Sequence, residues 1–212
     1  MKVEIESQIT ALLVIDMQND LVKESGAFAK MPGAEIWKMV KEDKVMENIG
    51  RVIEASRRAG IPIFHIKSVH RKDLADVVEA ITDRFLSGLM PPMKERPPML
   101  IEGTWGSDFV DELKPESGDY IIEKRRGNAF YNTSLELLLR ARGVRTLIVT
   151  GVITEGCVDA TVHGARDRDF NAIVITDCVA TMMREIQDFW LKNIFPRSAV
   201  TMTTDELIEA LG

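Results

Sequence analysis

Apolar runs alternate with amphipathic segments along this chain, and that alternation limits the folds open to it. Residues 9–16 (ITALLVID) are a continuous apolar run with a polar end, which is typical of a strand covered on both faces in a parallel sheet. Residues 43–59 then place apolar side chains at helical spacing, and Gly60 stands where a glycine commonly ends a helix. Residues 61–66 (IPIFHI) form the next predicted strand. The order predicts a strand, a crossover helix and a parallel strand.

The same unit recurs towards the C-terminus. Three further strands are predicted at 119–124, 144–151 and 171–177, with helices at 133–142 and around Cys157. Repeated alternation of this kind predicts a doubly wound, parallel α/β sheet.

A proline-rich stretch, residues 87–106, interrupts the alternation. Its four prolines, in two pairs, forbid a long regular element, so we expect a surface excursion that acts as a lid or a subunit contact. We find no repeat, low-complexity tract or linker that divides the chain, and 212 residues at 45% hydrophobic can bury one substantial core. We therefore expect a single domain over residues 1–212.

Charge and cysteine content exclude several classes of partner. The formal net charge is -6, from 27 Lys and Arg against 33 Asp and Glu, without a basic stripe, so we do not expect nucleic acid as a partner. The apolar run before Asp16 is too short for a signal peptide or a membrane span. Two cysteines are too few for a disulfide framework and fit a reduced compartment. We expect a cytoplasmic protein that does not bind membranes.

Three reactive side chains come at the carboxyl ends of predicted strands, where ligands bind in open parallel sheets. They are Asp16 in LLVIDMQND, Lys124 in YIIEKRR, and Cys157, which follows TLIVTG after a short connection. Alone, Asp16 could be a turn or cap residue and Lys124 a solvated charge. Their common edge of the sheet favours a functional site.

The surroundings of Cys157 predict a thiol that ionises easily. Thr154 is a candidate N-cap, which makes Glu155, Gly156 and Cys157 the first three helical positions, where negative charge is favoured. The alternative is that Cys157 is a small buried apolar side chain, and we assign Cys178 to that class.

The stretches LLVIDMQND, GDYIIEKRRGNAFYNTSLELLLRARGVRTLIVTGVITEGCVDAT and ARDRDFNAIVITD resemble the isochorismatase-like superfamily of cysteine hydrolases. The resemblance covers nearly the whole chain and implies a three-layer α-β-α fold with a six-stranded sheet. It implies that Asp16, Lys124 and Cys157 match the catalytic triad. It also implies a cis peptide bond between Val152 and Ile153, and an oxyanion hole formed by the backbone N–H groups of Ile153 and Cys157.

The resemblance further implies a reaction, with no cofactor. It indicates hydrolysis of a carbon–nitrogen bond in a small amide or ureido or carbamoyl compound, through a thioester and with release of ammonia, as in the ureidoacrylate, N-carbamoylsarcosine and biuret hydrolases. Other family reactions, of the nicotinamidase type or the vinyl-ether-cleaving isochorismatase type, remain alternatives. So does a non-catalytic binding or assembly protein on the same fold. A redox enzyme using Cys157 and Cys178 ranks last, because the sequence has no C-x-x-C.

A bound metal is not expected. Nicotinamidases hold a metal with an Asp-x-His and a further His, but the matching stretch IPIFHIKSVH has no Asp before His65. His65 and His70 point to opposite faces of an extended strand, and His163 lies elsewhere, so we interpret each as a surface or packing residue.

The substrate is not determined by the sequence. Side chains that flank the predicted triad or its edge of the sheet are candidates for substrate binding: Asn19, Phe28, Trp105, Phe130 and Tyr131. A carboxylate on the substrate would need a cation, for which Arg71, Arg125 and Arg126 are available. From family habit and the Met- and Pro-rich excursion we expect a homo-oligomer, a dimer or a tetramer.

Overall fold

Parallel strands form the central sheet in the computed structural model, which describes residues 5–31, 33–77 and 97–212. Within these residues the sheet has six strands: β1 Thr10–Ile15, β2 Ile63–Ser68, β3 Tyr120–Lys124, β4 Thr146–Val152, β5 Asn171–Ala180 and β6 Val200–Met202. Their spatial order is β3-β2-β1-β4-β5-β6, and every neighbouring pair is parallel. The predicted doubly wound α/β sheet is confirmed.

The chain reverses its direction of winding between β1 and β4. It runs outward from β1 to β3, returns to the other side of β1, and runs outward again to β6. In open α/β sheets a crevice for ligands forms beyond the carboxyl ends of the strands at such a switch point. This is the edge to which the sequence assigns Asp16 and Cys157.

Helices cover both faces of the sheet. The helices are α1 Asn19–Val22, α2 Ile36–Glu42, α3 Val45–Arg58, α4 Leu135–Ala141, α5 Asp159–Arg166, α6 Arg184–Phe189, α7 Phe195–Ser198 and α8 Thr204–Leu211. Alternate residues of β1 enter two separate cores, with α2, α3 and α8 packing on one face and α4, α5 and α7 on the other. No helix in the described ranges is long and apolar enough to cross a membrane.

Helix α3 shows how closely periodicity predicts an element. The sequence predicts a helix over 43–59, and the structure has it over Val45–Arg58. The apolar positions that define its predicted face are all buried: Val45, Ile49, Val52, Ile53 and Ala55. Gly60 has a φ of +72° and ends the helix as predicted.

The C-terminal strands and the proline-rich stretch differ from the prediction or extend it. Strand β5 continues to Ala180, so Cys178 lies inside it. The pairing of β4 with β5 shifts in register between Val149 and Gly151, where β5 has the extra residues. Strand β6 has only three residues, too few for its apolar pattern to mark it as a strand. Residues 87–96 of the predicted excursion lie outside the described residues. In the remainder, Leu100 is buried.

Gly151 on β4 lies very close to the backbone of β1 at the switch point. Its φ is +112°, and an added Cβ would lie 2.0 Å from the carbonyl oxygen of Ile15 on β1. An L-amino acid with a side chain cannot occupy this position without moving one of the two strands.

We predict that Gly151→Ala destabilises the protein far more than Gly60→Ala. Gly60 also has a positive φ, but an added Cβ there meets no atom within 4 Å. Gly60→Ala should therefore cost only the backbone strain, about 1 kcal/mol of unfolding free energy. Gly151→Ala adds a clash with backbone and should cost about 3 kcal/mol or more. Urea denaturation measures both, and equal losses would contradict the interpretation.

Candidate active site

The three side chains predicted at the strand ends meet in one cluster. Asp16 follows β1, Lys124 ends β3, and Cys157 lies in the turn after β4. The Lys124 Nζ is 2.8 Å from Oδ2 of Asp16 and donates a hydrogen bond to the Cys157 Sγ at 3.1 Å. The Asp16 carboxylate is near enough to the thiol for its charge to raise the thiol's pKa. Asp16 and Lys124 are each only 1% exposed, so the ion pair is shielded from water.

Ser68, at the end of β2, is a fourth member of the cluster. Its Oγ accepts a hydrogen bond from Lys124 Nζ at 2.7 Å and donates towards the two carboxylate oxygens of Asp16 at 3.2 and 3.3 Å. Sequence reasoning missed Ser68, because the strand predicted over residues 61–66 stops two residues before it, whereas β2 runs to Ser68.

Burial and charge decide the protonation of the cluster. Burial first, and then the negative charge of Asp16, raise the pKa of the Cys157 thiol while the Lys124 ammonium opposes them, and the resulting pKa is about 12. Burial alone would lower the pKa of Lys124, but the charges of Asp16 and Cys157 outweigh burial and raise that pKa above its ordinary value. The cluster therefore holds a neutral thiol beside an ion pair. The expectation of a readily ionised thiol is wrong for the resting protein.

The turn that carries Cys157 is not the first turn of a regular helix. Residues Thr154–Val158 form a π-helical turn with a kink at Gly156, and α5 begins only at Asp159. Thr154 is therefore not an N-cap, and its hydroxyl instead donates to Oε1 of Gln187 at 2.6 Å. The peptide bond between Val152 and Ile153 is cis, as predicted.

Gln187 connects the cysteine turn to the rest of the fold. This α6 residue is buried, and its Nε2 donates to the carbonyl oxygen of Val179 on β5 at 2.8 Å. With the bond from Thr154, the side chain links the turn to a sheet strand. No local sequence pattern indicates this role, because Gln187 is more than thirty positions from Thr154.

The residues after Asp16 hold neighbouring segments of backbone. The Gln18 amide accepts from the N–H of Ser68 and donates to the carbonyl oxygens of Ser68 and Ser107, all at 2.8 Å. Asn19 Nδ2 donates to the carbonyl oxygen of Trp105 at 2.8 Å. The structure thus gives Asn19, a candidate for substrate binding, a bond within the protein.

The aromatic candidates divide into buried and exposed residues. Phe28 and Phe130 belong to the two hydrophobic cores on opposite faces of the sheet, and Phe130 stacks on Phe170. Packing accounts for both. Trp105 is 53% exposed and Tyr131 62% exposed, so both remain available to a ligand, and substrate contact by either stays a prediction.

Local carboxylates neutralise two of the three candidate cations. Arg71 pairs with Asp73, and Arg125 with Asp76 at 3.0 Å. Arg126 donates to the carbonyl oxygens of Asp76 and Arg125. These contacts give each guanidinium a bond within the protein.

The histidines occupy separate environments. His65 is fully buried with its Nε2 3.1 Å from a carboxylate oxygen of Asp119, and burial lowers its pKa. His163 is exposed and lies near Asp159. Across residues 5–31, 33–77 and 97–212, no group of three or more His, Cys, Asp or Glu side chains is arranged to hold a metal ion.

The second cysteine is buried within β5. Cys178 Sγ lies 3.2 Å from the hydroxyl oxygen of Thr204, and burial raises its pKa to about 12. Cys157 and Cys178 are both free thiols. The assignment of Cys178 to the structural, buried class is confirmed.

Known proteins resemble this chain in both sequence and fold. The Isochorismatase domain family matches residues 10–206. Over 177 residues the chain is 34% identical to the ureidoacrylate amidohydrolase RutB of Methylorubrum extorquens, a match that covers 81% of this chain and 70% of that protein.

Two solved structures extend the likeness. An isochorismatase-like hydrolase from Alkaliphilus metalliredigens is 32% identical, with a TM-score of 0.75 over 96% of this chain and 99% of the other. The N-carbamoylsarcosine amidase from Thermoplasma acidophilum is 26% identical, with a TM-score of 0.68 over 92% of this chain and 96% of the other. With the family match spanning nearly the whole chain, this protein belongs to the isochorismatase family of hydrolases.

Proposed function

We propose that the protein is a cysteine-dependent hydrolase that cleaves a carbon–nitrogen bond of a small amide or ureido or carbamoyl compound and releases ammonia. The contact of one buried ammonium, Lys124, with both Asp16 and Cys157 carries the proposal. The relatives support the substrate class, because one is a ureidoacrylate amidohydrolase and another an N-carbamoylsarcosine amidase.

In the first step Cys157 attacks the substrate carbonyl carbon. Asp16 takes the thiol proton while the sulfur–carbon bond forms, and the electron pair of the carbonyl π bond moves onto oxygen. The backbone N–H groups of Ile153 and Cys157 hold the resulting oxyanion.

Collapse of this intermediate breaks the carbon–nitrogen bond. Asp16 returns its proton to the departing nitrogen, which leaves as ammonia from a terminal amide, and a thioester remains on Cys157. Water then attacks the thioester and gives a proton to Asp16, which passes it to the sulfur as the acid product leaves. One water is consumed, and the cluster returns to its starting protonation.

Lys124 stabilises the negative charge of the cluster during these steps. At rest, the ammonium faces the negative charge of Asp16. Proton transfer moves that negative charge to the sulfur and then to the substrate oxygen, and Lys124 stays beside the route. The high pKa of the resting thiol therefore requires proton transfer and attack to be coupled.

We predict that Cys157→Ala reduces ammonia release to background without unfolding the protein, because the nucleophile is lost while a small apolar side chain replaces it. Release is measured with ureido acids, carbamoyl amino acids, biuret, maleamate and nicotinamide. Cys178→Ala is the matched control, since it removes the other thiol, which is buried and lies against the Thr204 hydroxyl. Wild-type turnover by a folded Cys157→Ala protein would rule out thiol catalysis.

We further predict that Asp16→Asn separates turnover from thiol ionisation. Turnover should fall by about 10² to 10⁴, because the general base is lost. The charge of Asp16 raises the pKa of the thiol, so its removal lowers that pKa, and the alkaline limb of Cys157 alkylation should move below the wild-type pH. Lys124→Met should slow both reactions and move the same limb to higher pH.

Iodoacetamide labelling, with the Cys157 and Cys178 peptides read separately by mass spectrometry, provides the alkylation rates. Thermal melting is the folding control, because loss of Lys124 leaves the Asp16 charge buried without a partner. An Asp16→Asn variant with an unmoved alkaline limb would contradict the electrostatic account.

We also propose that the protein is a homo-oligomer, a dimer or a tetramer. Met183, just before α6, and Phe189, at its end, are large apolar side chains that are exposed, and a second copy would cover them. Light scattering should give a mass about two or four times the 23.8 kDa of one chain. A mass near that of a single chain would reject the proposal.

A further inference from the structure

Ser68 closes a ring of hydrogen bonds that the three proposed catalytic side chains leave open. Its hydroxyl stands between Lys124 Nζ, at 2.7 Å, and the Asp16 carboxylate, at 3.2 and 3.3 Å. An ammonium has three N–H donors, and those of Lys124 are directed at Asp16, Cys157 and Ser68. Ser68 thus supplies the third acceptor, and without it one N–H of a buried ammonium would have no partner.

The single hydroxyl proton of Ser68 has a defined direction. Because the oxygen accepts from Lys124, which cannot accept in return, the proton is available only to Asp16. Lys124 therefore donates to Ser68, and Ser68 donates to Asp16. These two hydrogen bonds connect the same two charged groups as the direct ion pair does.

Gln18 fixes the backbone of Ser68 in this ring. The Gln18 amide accepts from the Ser68 N–H and donates to the Ser68 carbonyl oxygen, and its remaining N–H is bound by Ser107. All donors of this fully buried amide are used, so its orientation is determined. Ser68 is therefore held from two sides, by backbone and by side chain.

We infer that Ser68 is a positioning residue for proton transfer between Cys157 and Asp16, an inference that rests on the proposed function. The hydroxyl holds the Lys124 ammonium within hydrogen-bond distance of both Asp16 and Cys157. It also donates towards the carboxylate of Asp16, the group that must accept the thiol proton.

These contacts predict a loss of turnover rather than of substrate binding. Charged and titratable groups face Asp16 from two elements, Lys124 at the end of β3 and Cys157 from the turn after β4. Loss of the Ser68 hydroxyl leaves both in place but removes one partner of the ammonium and one donor to the carboxylate.

Three variants test the inference. Ser68→Ala removes the hydroxyl, Ser68→Thr keeps it, and Ser107→Ala removes a different buried hydroxyl, which donates only to the Thr104 carbonyl oxygen. We expect Ser68→Ala to lower kcat about tenfold with little change in KM. Ser68→Thr should restore kcat, and Ser107→Ala should match the wild type.

Alkylation of Cys157 by iodoacetamide reports on the position of the Lys124 ammonium without a substrate, so the inference is tested even if no compound in the panel is hydrolysed. Ser68→Ala should slow this alkylation, in the direction expected for Lys124→Met. Thermal melting accompanies every variant. A folded Ser68→Ala protein with wild-type kcat and wild-type alkylation of Cys157 would overturn the inference. Equal losses in Ser68→Ala, Ser68→Thr and Ser107→Ala would overturn it too, because they would indicate a packing role only.

Discussion

The buried ion pair between Asp16 and Lys124 is the interaction on which the other features of this structure depend. An ammonium and a carboxylate that leave water each lose several kcal/mol of hydration, which only close, complete hydrogen bonding offsets. Asp16 follows the central strand β1 and Lys124 ends the edge strand β3, so β2, the strand between them, must end at the same edge of the sheet. The strand register meets this requirement. Ser68 on β2 pairs with Lys124 on β3, and the N–H of Asp16 donates to the carbonyl oxygen of Ile66 on β2. A slip of one residue in any of these strands would turn a side chain to the other face and leave a charge buried alone.

The ion pair also explains why the thiol is stored protonated. A helix start alone would favour a thiolate, but Cys157 is packed against an existing carboxylate charge, and that charge together with burial outweighs the ammonium. A neutral thiol is protected from alkylation and oxidation until the carboxylate can take its proton. In the proposed mechanism one negative charge moves from Asp16 to the sulfur and then to the substrate oxygen. The Lys124 ammonium stabilises that charge at each position.

Periodicity and strand ends were enough to predict the sheet, helix α3 and the meeting of Asp16, Lys124 and Cys157, because these depend on local patterns and on the rule that parallel strands share one carboxyl edge. What escaped prediction depends on contacts between distant segments. Ser68 and Gln187 are polar residues whose roles arise only when β2 and α6 are packed beside the cluster. The kink at Gly156, after which α5 begins at Asp159, belongs to the same class. Thr154 in that turn donates to Gln187 on α6 instead of capping the helix.

The segment that carries Asp16 also holds the C-terminal part of the proline-rich stretch. Asn19 donates to the Trp105 carbonyl oxygen, and the buried carboxylate of Asp20 accepts from the N–H of Leu100 at 2.7 Å. Gly106 packs so closely on that carboxylate that an added Cβ would lie 2.1 Å from it. The proposed proton acceptor and these anchors lie within five consecutive residues, Asp16 to Asp20, directly after β1. The position of the acid and the position of the loop beside it are therefore set by the same short stretch of backbone.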